Sequence, residues 1–317
     1  KVFLLLAVLS FFLGYLSWKF IESPFRSKER FTRRWVFMAS FGVALSFIFV
    51  GVMLTFSDSG FKRNNKIVGG TIGHENFHSV SHDNYSVCSD SGLRLKAPLW
   101  RDYVRCLETS QASEPEVVIF GDSHAEHLFP GMADSFSGNL IYLTAVGQPF
   151  VGESAFEHLF GHVMSKLQAE IVVYSGYWAK ISIDEGSEFP VKLLSSIDRL
   201  KANAKKVVII SDIPDFPFDA EKCFFENEYI AAVCDIQRKE YEAQTAPYHS
   251  MFTELAKDPL IEFIDVSDLF CTATNCSMVL DGVMLYRDSD HLNMEGSKLI
   301  GDFIVKRSIF LRGYEGY

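Results

Sequence analysis

No Cys-x-x-Cys spacing occurs in the 317 residues, and no cysteine precedes Cys88. The first absence excludes the usual cysteine-held zinc sites, whose ligands come in such close pairs. The second confines thiol chemistry to the later part of the chain. An excess of positive charge is also missing: 30 Lys and Arg stand against 40 Asp and Glu, a formal net charge of −10. A chain of that sign repels nucleic acid, so no nucleic-acid partner is expected. Charge of either sign is absent from residues 2–18 and from residues 35–56, WVFMASFGVALSFIFVGVMLTF, which is 22 residues long. At ~1.5 Å per residue the second stretch can cross a hydrocarbon core of ~30 Å. Both are expected to be membrane helices embedded in a lipid bilayer. Neither has the basic start and short apolar core of a cleaved signal peptide. With no initiator Met before Lys1, the expectation is a fragment of a longer membrane protein.

Between the two stretches, residues 19–34 hold Lys19, Arg26, Lys28, Arg30, Arg33 and Arg34 against Glu22 and Glu29. The positive-inside rule puts this loop in the cytoplasm and residues 57–317 on the opposite face. That later part keeps 23 basic and 38 acidic residues, net −15, which favours a neutral or cationic partner. All six cysteines lie there, as three local pairs: Cys88 and Cys106, Cys223 and Cys234, Cys271 and Cys276. Six thiols allow fifteen connectivities, of which local pairing is the simplest, and the number suits an oxidising compartment.

Residues 57–93 are rich in Ser, Gly, Asn and His without periodicity and read as a linker or loose extension. From Pro115 short apolar runs alternate with helical stretches. The runs are VVIF (117–120), LIYLTAV (140–146), IVVYS (171–175), KVVIIS (206–211) and IEFIDVS (261–267). Helices are expected from about 125, up to about 168, over 190–203, over 226–256, and from His291 to about Phe310. This predicts an α/β fold in three layers around a parallel sheet, with ligands at the carboxyl ends of the strands.

Two polar clusters could carry chemistry. In VVIFGDSHAEHLF, Ser123 stands where a strand-end turn meets a helix start, where a backbone N–H and the helix dipole stabilise negative charge. The competing reading is that Asp122 or Ser123 merely caps the helix. His124 points about 100° away from its neighbour on a helix, and His127 sits deeper along it, so a base from elsewhere is preferred. In YRDSDHLNMEGSKLI, Asp288 precedes His291 by three residues, a spacing that lets the carboxylate reach Nδ1–H and leaves Nε2 free. Asp290 competes for that role, but as the adjacent residue it is expected to point elsewhere. A solvated loop with a helix cap is the alternative.

GDSH near the start of an α/β domain and DxxH before its last helix together resemble the SGNH (GDSL-like) hydrolase superfamily, a flavodoxin-like fold, from about Pro115 to Phe310. The resemblance implies Ser123 as nucleophile, His291 as base and Asp288 as its orienting carboxylate. It also implies an oxyanion hole from the N–H groups of Ser123 and of Gly147, in TAVGQPF, with an Asn after the third strand. YSGYWAK at that place has Gly176, Tyr177 and Trp178 and no Asn. Losing one such donor typically costs about 3 kcal/mol of barrier. Trp178 could substitute through its indole N–H, or stack on a sugar ring, or be a core aromatic.

WKFIESPFRSK (18–28) looks like the end of the last core helix of the acyltransferase-3 membrane family, whose proteins often continue through one more membrane helix into a periplasmic SGNH domain. The resemblance implies residues 1–34 as the end of a membrane acyltransferase domain, 35–56 as an additional membrane helix, 57–114 as a periplasmic extension and 115–317 as the SGNH domain. It further implies a multi-pass protein of the bacterial inner membrane that O-acetylates a surface polysaccharide such as lipopolysaccharide O-antigen. Acetyl-CoA would be the upstream acyl donor for the membrane domain, with no cofactor held here. An SGNH esterase and a glycan-presenting module without catalysis are the alternatives. HENFH (74–78) matches the zinc-protease HExxH pattern, with His82 four residues on. Gly69, Gly70, Gly73 and Asn76 oppose the helix it needs, so no metal is expected.

Overall fold

Short runs of Val and Ile form the middle of a seven-stranded sheet in the computed structural model. It describes residues 2–23, 32–56, 70–97, 99–145, 147–154, 156–157, 159–160, 169–225 and 234–313. The chain divides into two units, Lys1–Arg63 and Asn64–Tyr317. The first contains α1 (Val2–Ser17), a short π-helical stretch (Trp18–Glu22) and α2 (Arg33–Phe56). Both charge-free stretches are thus helical, although among the described residues no helix is long and apolar enough to cross a membrane. The basic residues of 24–31, the linker of 57–69, the helix expected up to 168 over 161–168, and the start of the polar helix over 226–233 lie outside the described residues.

The second unit begins with α3 (His74–Asn84), β1 (Ser86–Val87), a hairpin of β2 (Leu99–Trp100) and β3 (Tyr103–Val104), and β4 (Leu107–Glu108). The main strands are β5 (Val117–Gly121), β6 (Leu140–Thr144), β7 (Ile171–Ser175), β8 (Lys206–Ile210) and β10 (Ile261–Ile264), with β9 (Asp235–Gln237) in a separate ribbon. The sheet order is β1-β4-β6-β5-β7-β8-β10. The pairs from β6 to β10 are parallel, whereas β4 and β1 add antiparallel at one edge. The described part of the expected loose extension, residues 70–93, is therefore structured, and the structured segment runs on to residue 114. Residues 70–114 supply two strands of the sheet, and Cys88–Cys106 is a disulfide, as are Cys223–Cys234 and Cys271–Cys276.

Because strand side chains alternate, Val117 and Ile119 of β5 enter one apolar cluster and Val118 and Phe120 the other. The first face is covered by α4 (Ser123–Glu126), α5 (Phe129–Ser135) and α9 (Met294–Arg307). The second is covered by α6 (Trp178–Glu185), α7 (Phe189–Lys201) and α8 (Arg238–Leu255). Helices on both faces of a mostly parallel sheet are the expected α/β arrangement. The last helix starts at Met294 behind an Asn293 cap rather than at His291, which leaves His291 on the preceding turn. Where α9 crosses α5, a Cβ on Gly131 would lie 1.7 Å from the Ser297 carbonyl oxygen, so the two backbones touch only because no side chain intervenes. Strand order reverses at β5, which has β6 on one side and β7 on the other, and ligands of such sheets bind at that switch point.

Candidate active site

β5 delivers the GDS turn to this switch point. Gly121 has φ 153°, and a Cβ there would lie 1.6 Å from the Ser175 carbonyl oxygen of β7, so no other residue fits. The helix cap is Asp122: its Oδ1 accepts the His124 N–H at 2.8 Å and its Oδ2 the Tyr177 N–H at 2.8 Å. With capping done by its neighbour, the Ser123 hydroxyl is left for other work. It lies 2.8 Å from His291 Nε2.

His291 Nδ1 lies 3.0 Å from Asp288 Oδ2 and 3.1 Å from Oδ1. Asp288 Oδ1 also accepts the backbone N–H groups of Asp290 and His291, at 2.9 and 2.7 Å, so one carboxylate fixes both turn and ring. Burial lowers the His291 pKa below the ordinary imidazole value; Asp288 works against that, while the charges of Arg287 and His124 add to it. An imidazole that is neutral near pH 7, with its proton on Nδ1, can accept the serine proton at Nε2.

The structure thus brings together Ser123, His291 and Asp288 from opposite ends of the domain. It differs from the sequence expectation at Asp290, which does not point elsewhere: the turn carries its Oδ2 to 3.4 Å from His291 Nδ1 and 3.5 Å from His124 Nε2. His127 is buried, with its pKa held well below the ordinary value by burial and by the nearby charges of His124, His291 and Arg287. Its ring centroid is 6.2 Å from that of His291 and it makes no contact with Ser123 that would let it act as the base.

Gly147 is exposed three residues beyond β6, at the sheet end where Ser123 begins its helix. The Ser123 N–H, the other expected oxyanion donor, begins α4. Of the three readings of Trp178, the structure shows the core aromatic. It is fully buried in the second core cluster, its indole N–H donates to the Ile210 carbonyl at 2.9 Å, and its backbone N–H donates to Asp212 Oδ1 at 3.0 Å. It is a core aromatic, neither oxyanion donor nor sugar platform, because every donor it owns is spent inside the fold. Next to it Tyr177 is half-buried, and its hydroxyl donates to Asp215. Of the loop after β8, Phe216 is buried against Tyr286, Phe218 is half-buried and Asp219 exposed, so Asp215 alone joins the site cluster.

Two features have no counterpart in the sequence reading. His124 is buried beside His291, and Glu126 is buried with Arg105, whose Nε and Nη2 donate to its two oxygens at 3.0 and 2.7 Å. No spacing rule links residues 105 and 126.

The HENFH segment is helical after all, as α3, with Gly73 as the residue before its first turn. Yet His78 stacks on Trp100 at 4.6 Å and His82 Nε2 meets the Val104 carbonyl oxygen at 3.1 Å, so neither faces a shared ion. The side chains of His74 and Glu75 lie outside the described residues. Among the described residues, His124, Asp290 and His291 have ligand atoms within 4.8 Å of one another. Of these, His291 Nδ1 already faces Asp288 at 3.0 Å.

No curated protein matches the sequence. Among solved structures, the chain is similar to the periplasmic domain of a lipopolysaccharide acetyltransferase from Salmonella ser. Paratyphi A, with 16% identity over 62% of this chain and 84% of that one and a TM-score of 0.47. It is also similar to a carbohydrate acetylesterase from Sinorhizobium meliloti, with 15% identity over 61% of this chain and 97% of that one and a TM-score of 0.35. Likenesses this remote do not bear on activity. The sequence itself matches the SGNH domain (fused to AT3 domains) over residues 89–306, a span that takes in β4, the five parallel strands and the whole Ser–His–Asp cluster, and the chain belongs to that family.

Proposed function

We propose that this chain is an O-acyltransferase, which moves an acyl group, acetyl in the first instance, through Ser123 to a hydroxyl of a bacterial surface polysaccharide such as lipopolysaccharide O-antigen. The observation that carries the reading is the 2.8 Å contact between Ser123 Oγ and His291 Nε2, with Asp288 on the far nitrogen, in a family whose SGNH domains are fused to AT3 domains. Ser123 Oγ attacks the donor's acyl carbonyl while His291 Nε2 takes the hydroxyl proton. The tetrahedral oxyanion is met by the Ser123 and Gly147 N–H groups. Collapse expels the donor alcohol or thiol, which takes the proton back from His291. A sugar hydroxyl then gives its proton to His291 and attacks the acyl-serine, and Ser123 leaves reprotonated.

The absence of charge from residues 35–56, after the basic residues of 19–34, supports a place for the first unit at a lipid bilayer. The three disulfides support an oxidising periplasmic location for the second unit. In this reading a membrane-embedded domain of the same protein supplies acyl groups that originate in cytoplasmic acetyl-CoA, the acceptor glycan is the partner, and nucleic acid is none.

The test uses the full chain with 4-nitrophenyl acetate as donor and O-antigen polysaccharide as acceptor. The parent should form acyl-Ser123, detected by mass spectrometry, and acetylate the polysaccharide; Ser123→Ala should lose both by a factor on the order of 10⁴ or more. Release of acetate with no acetylated polysaccharide would assign an esterase. Acetylation that survives in Ser123→Ala would leave only a glycan-presenting role.

A further inference from the structure

The side chain after the nucleophile turns into the protein, where the mechanism above gives it nothing to do. His124 is 1% exposed. Asp212, at the end of β8, approaches its Nδ1 to 3.7 Å, and Asp290 approaches its Nε2 to 3.5 Å. Those are ion-pair separations; neither ring nitrogen reaches hydrogen-bonding geometry. Tyr177 stacks flat on the ring at 4.4 Å between centroids, and Asp122 contributes its charge from the preceding turn. Asp215 lies behind Tyr177, His127 packs at 5.2 Å from the same helix turn, and His291 lies at 5.2 Å from the opposite loop. Asp290 is shared: the oxygen that faces His124 also faces His291 Nδ1, where Asp288 already sits.

We infer that His124 is a positioning residue: a buried imidazolium, clamped between Asp212 and Asp290, that ties the His291 turn to the nucleophile's helix and offsets the second carboxylate beside His291. The inference rests on the Ser123–His291–Asp288 reading and adds a fourth member to it. Burial alone would lower the His124 pKa, but Asp290, Asp122 and Asp212 outweigh it and raise it to about 9. Asp290 is held below the usual carboxylate range, against burial, by His124 and His291. Burial pushes Asp212 up to about 7, with His124 and the N–H groups of Ala179 and Trp178 opposing that. Without the His124 charge, two carboxylates would bear on one imidazole with less to offset them, and His291 would hold its proton more tightly. Arg287 helps from the other side, by lowering His291.

The test is the pH profile of 4-nitrophenyl acetate turnover by the full chain. His124→Gln removes a positive charge 5.2 Å from the His291 ring, so the acid limb should move to higher pH by about one unit. Asp290→Asn removes a negative charge and should move it to lower pH. Limbs that stay in place while rates fall would overturn the inference, because a purely structural role lowers the rate without moving the limb. If His124→Gln does not fold, the protonation of His124 in the parent decides. A readout independent of turnover is the imidazole nitrogen chemical shifts, which should find both His124 nitrogens protonated at about pH 8, where free imidazole is neutral; a neutral ring would overturn the inference. Failure of the acyl-enzyme reading would show separately, as turnover that persists in Ser123→Ala.

Discussion

Replacing Glu126 by Gln keeps the shape of an enclosed side chain and removes its charge from a partner that is itself almost wholly buried. Glu126 is 2% exposed and Arg105 8%. Two N–H groups of the guanidinium bind the carboxylate at 3.0 and 2.7 Å, and the Tyr142 hydroxyl donates to Oε1 at 3.3 Å. Two routes lead to one magnitude. Removing one member of a buried ion pair leaves an uncompensated charge and costs about 3–5 kcal/mol. Separately, burial would raise the Glu126 pKa, yet Arg105, with smaller help from His78 and Arg287, lowers it from 4.5 to about 2. That displacement corresponds to about 3 kcal/mol. A lowered carboxyl pKa stabilises the folded chain fully above the unfolded value, and the contribution is lost as pH falls through about 2. At neutral pH, Glu126→Gln should therefore lose about 3 kcal/mol, or roughly 6–12 °C in Tm for a domain of this size.

The assay is thermal unfolding of the full chain followed by circular dichroism, at neutral pH and along a series into acid. The gap between parent and variant should narrow as the pH drops below 4.5. Adding Arg105→Met should recover part of the loss, because replacing both members of a buried pair by uncharged groups is often nearly neutral. A loss under about 1 kcal/mol at neutral pH, or a gap that does not narrow in acid, would refute the reasoning. Arg105 stands in the segment before β5, and Glu126 ends the helix that starts at Ser123. The pair is thus one of the bonds by which residues 70–114 hold the nucleophile's helix in place.

Asp288→Asn should keep the turn, since an amide oxygen still accepts the N–H groups of Asp290 and His291, but it removes the carboxylate charge and sets an NH2 donor where Oδ2 now faces His291 Nδ1. We expect kcat with 4-nitrophenyl acetate to fall by about 10⁴-fold with Tm nearly unchanged, and a fall under tenfold would count against Asp288 as the orienting group. Trp178→Phe should lower stability by about 1–3 kcal/mol, through the lost bond to Ile210 and the space left behind, with no change in KM for polysaccharide. A raised KM at constant Tm would restore the sugar-platform reading.

What the sequence makes legible and what it hides divide along physical lines. Ser123 and His291 are legible because each stands at a junction that leaves a local mark: an apolar run ending in Gly-Asp-Ser, and an Asp-x-x-His ahead of an amphipathic helix. The cysteine pairs are legible because each loop they close is short. Residues 70–114 are hidden because β1 and β4 are two residues long, too short for alternation to register, and their place in the sheet depends on a disulfide and on a contact with β6 some thirty residues later. The misreading of Asp290, and the surroundings of His124 that the sequence leaves unread, share another cause. Spacing along a helix or turn fixes the direction of a side chain only while the backbone stays regular. Residues 288–291 form a tight turn held by Asp288 itself, which brings neighbouring carboxylates to one imidazole. His124 does point away from Ser123, as helical geometry requires, but the direction away leads into a pocket of Asp122, Asp212 and Asp290 supplied by three separate parts of the chain. A residue that cannot accept the serine's proton can still govern the one that does, and that relation exists only in three dimensions.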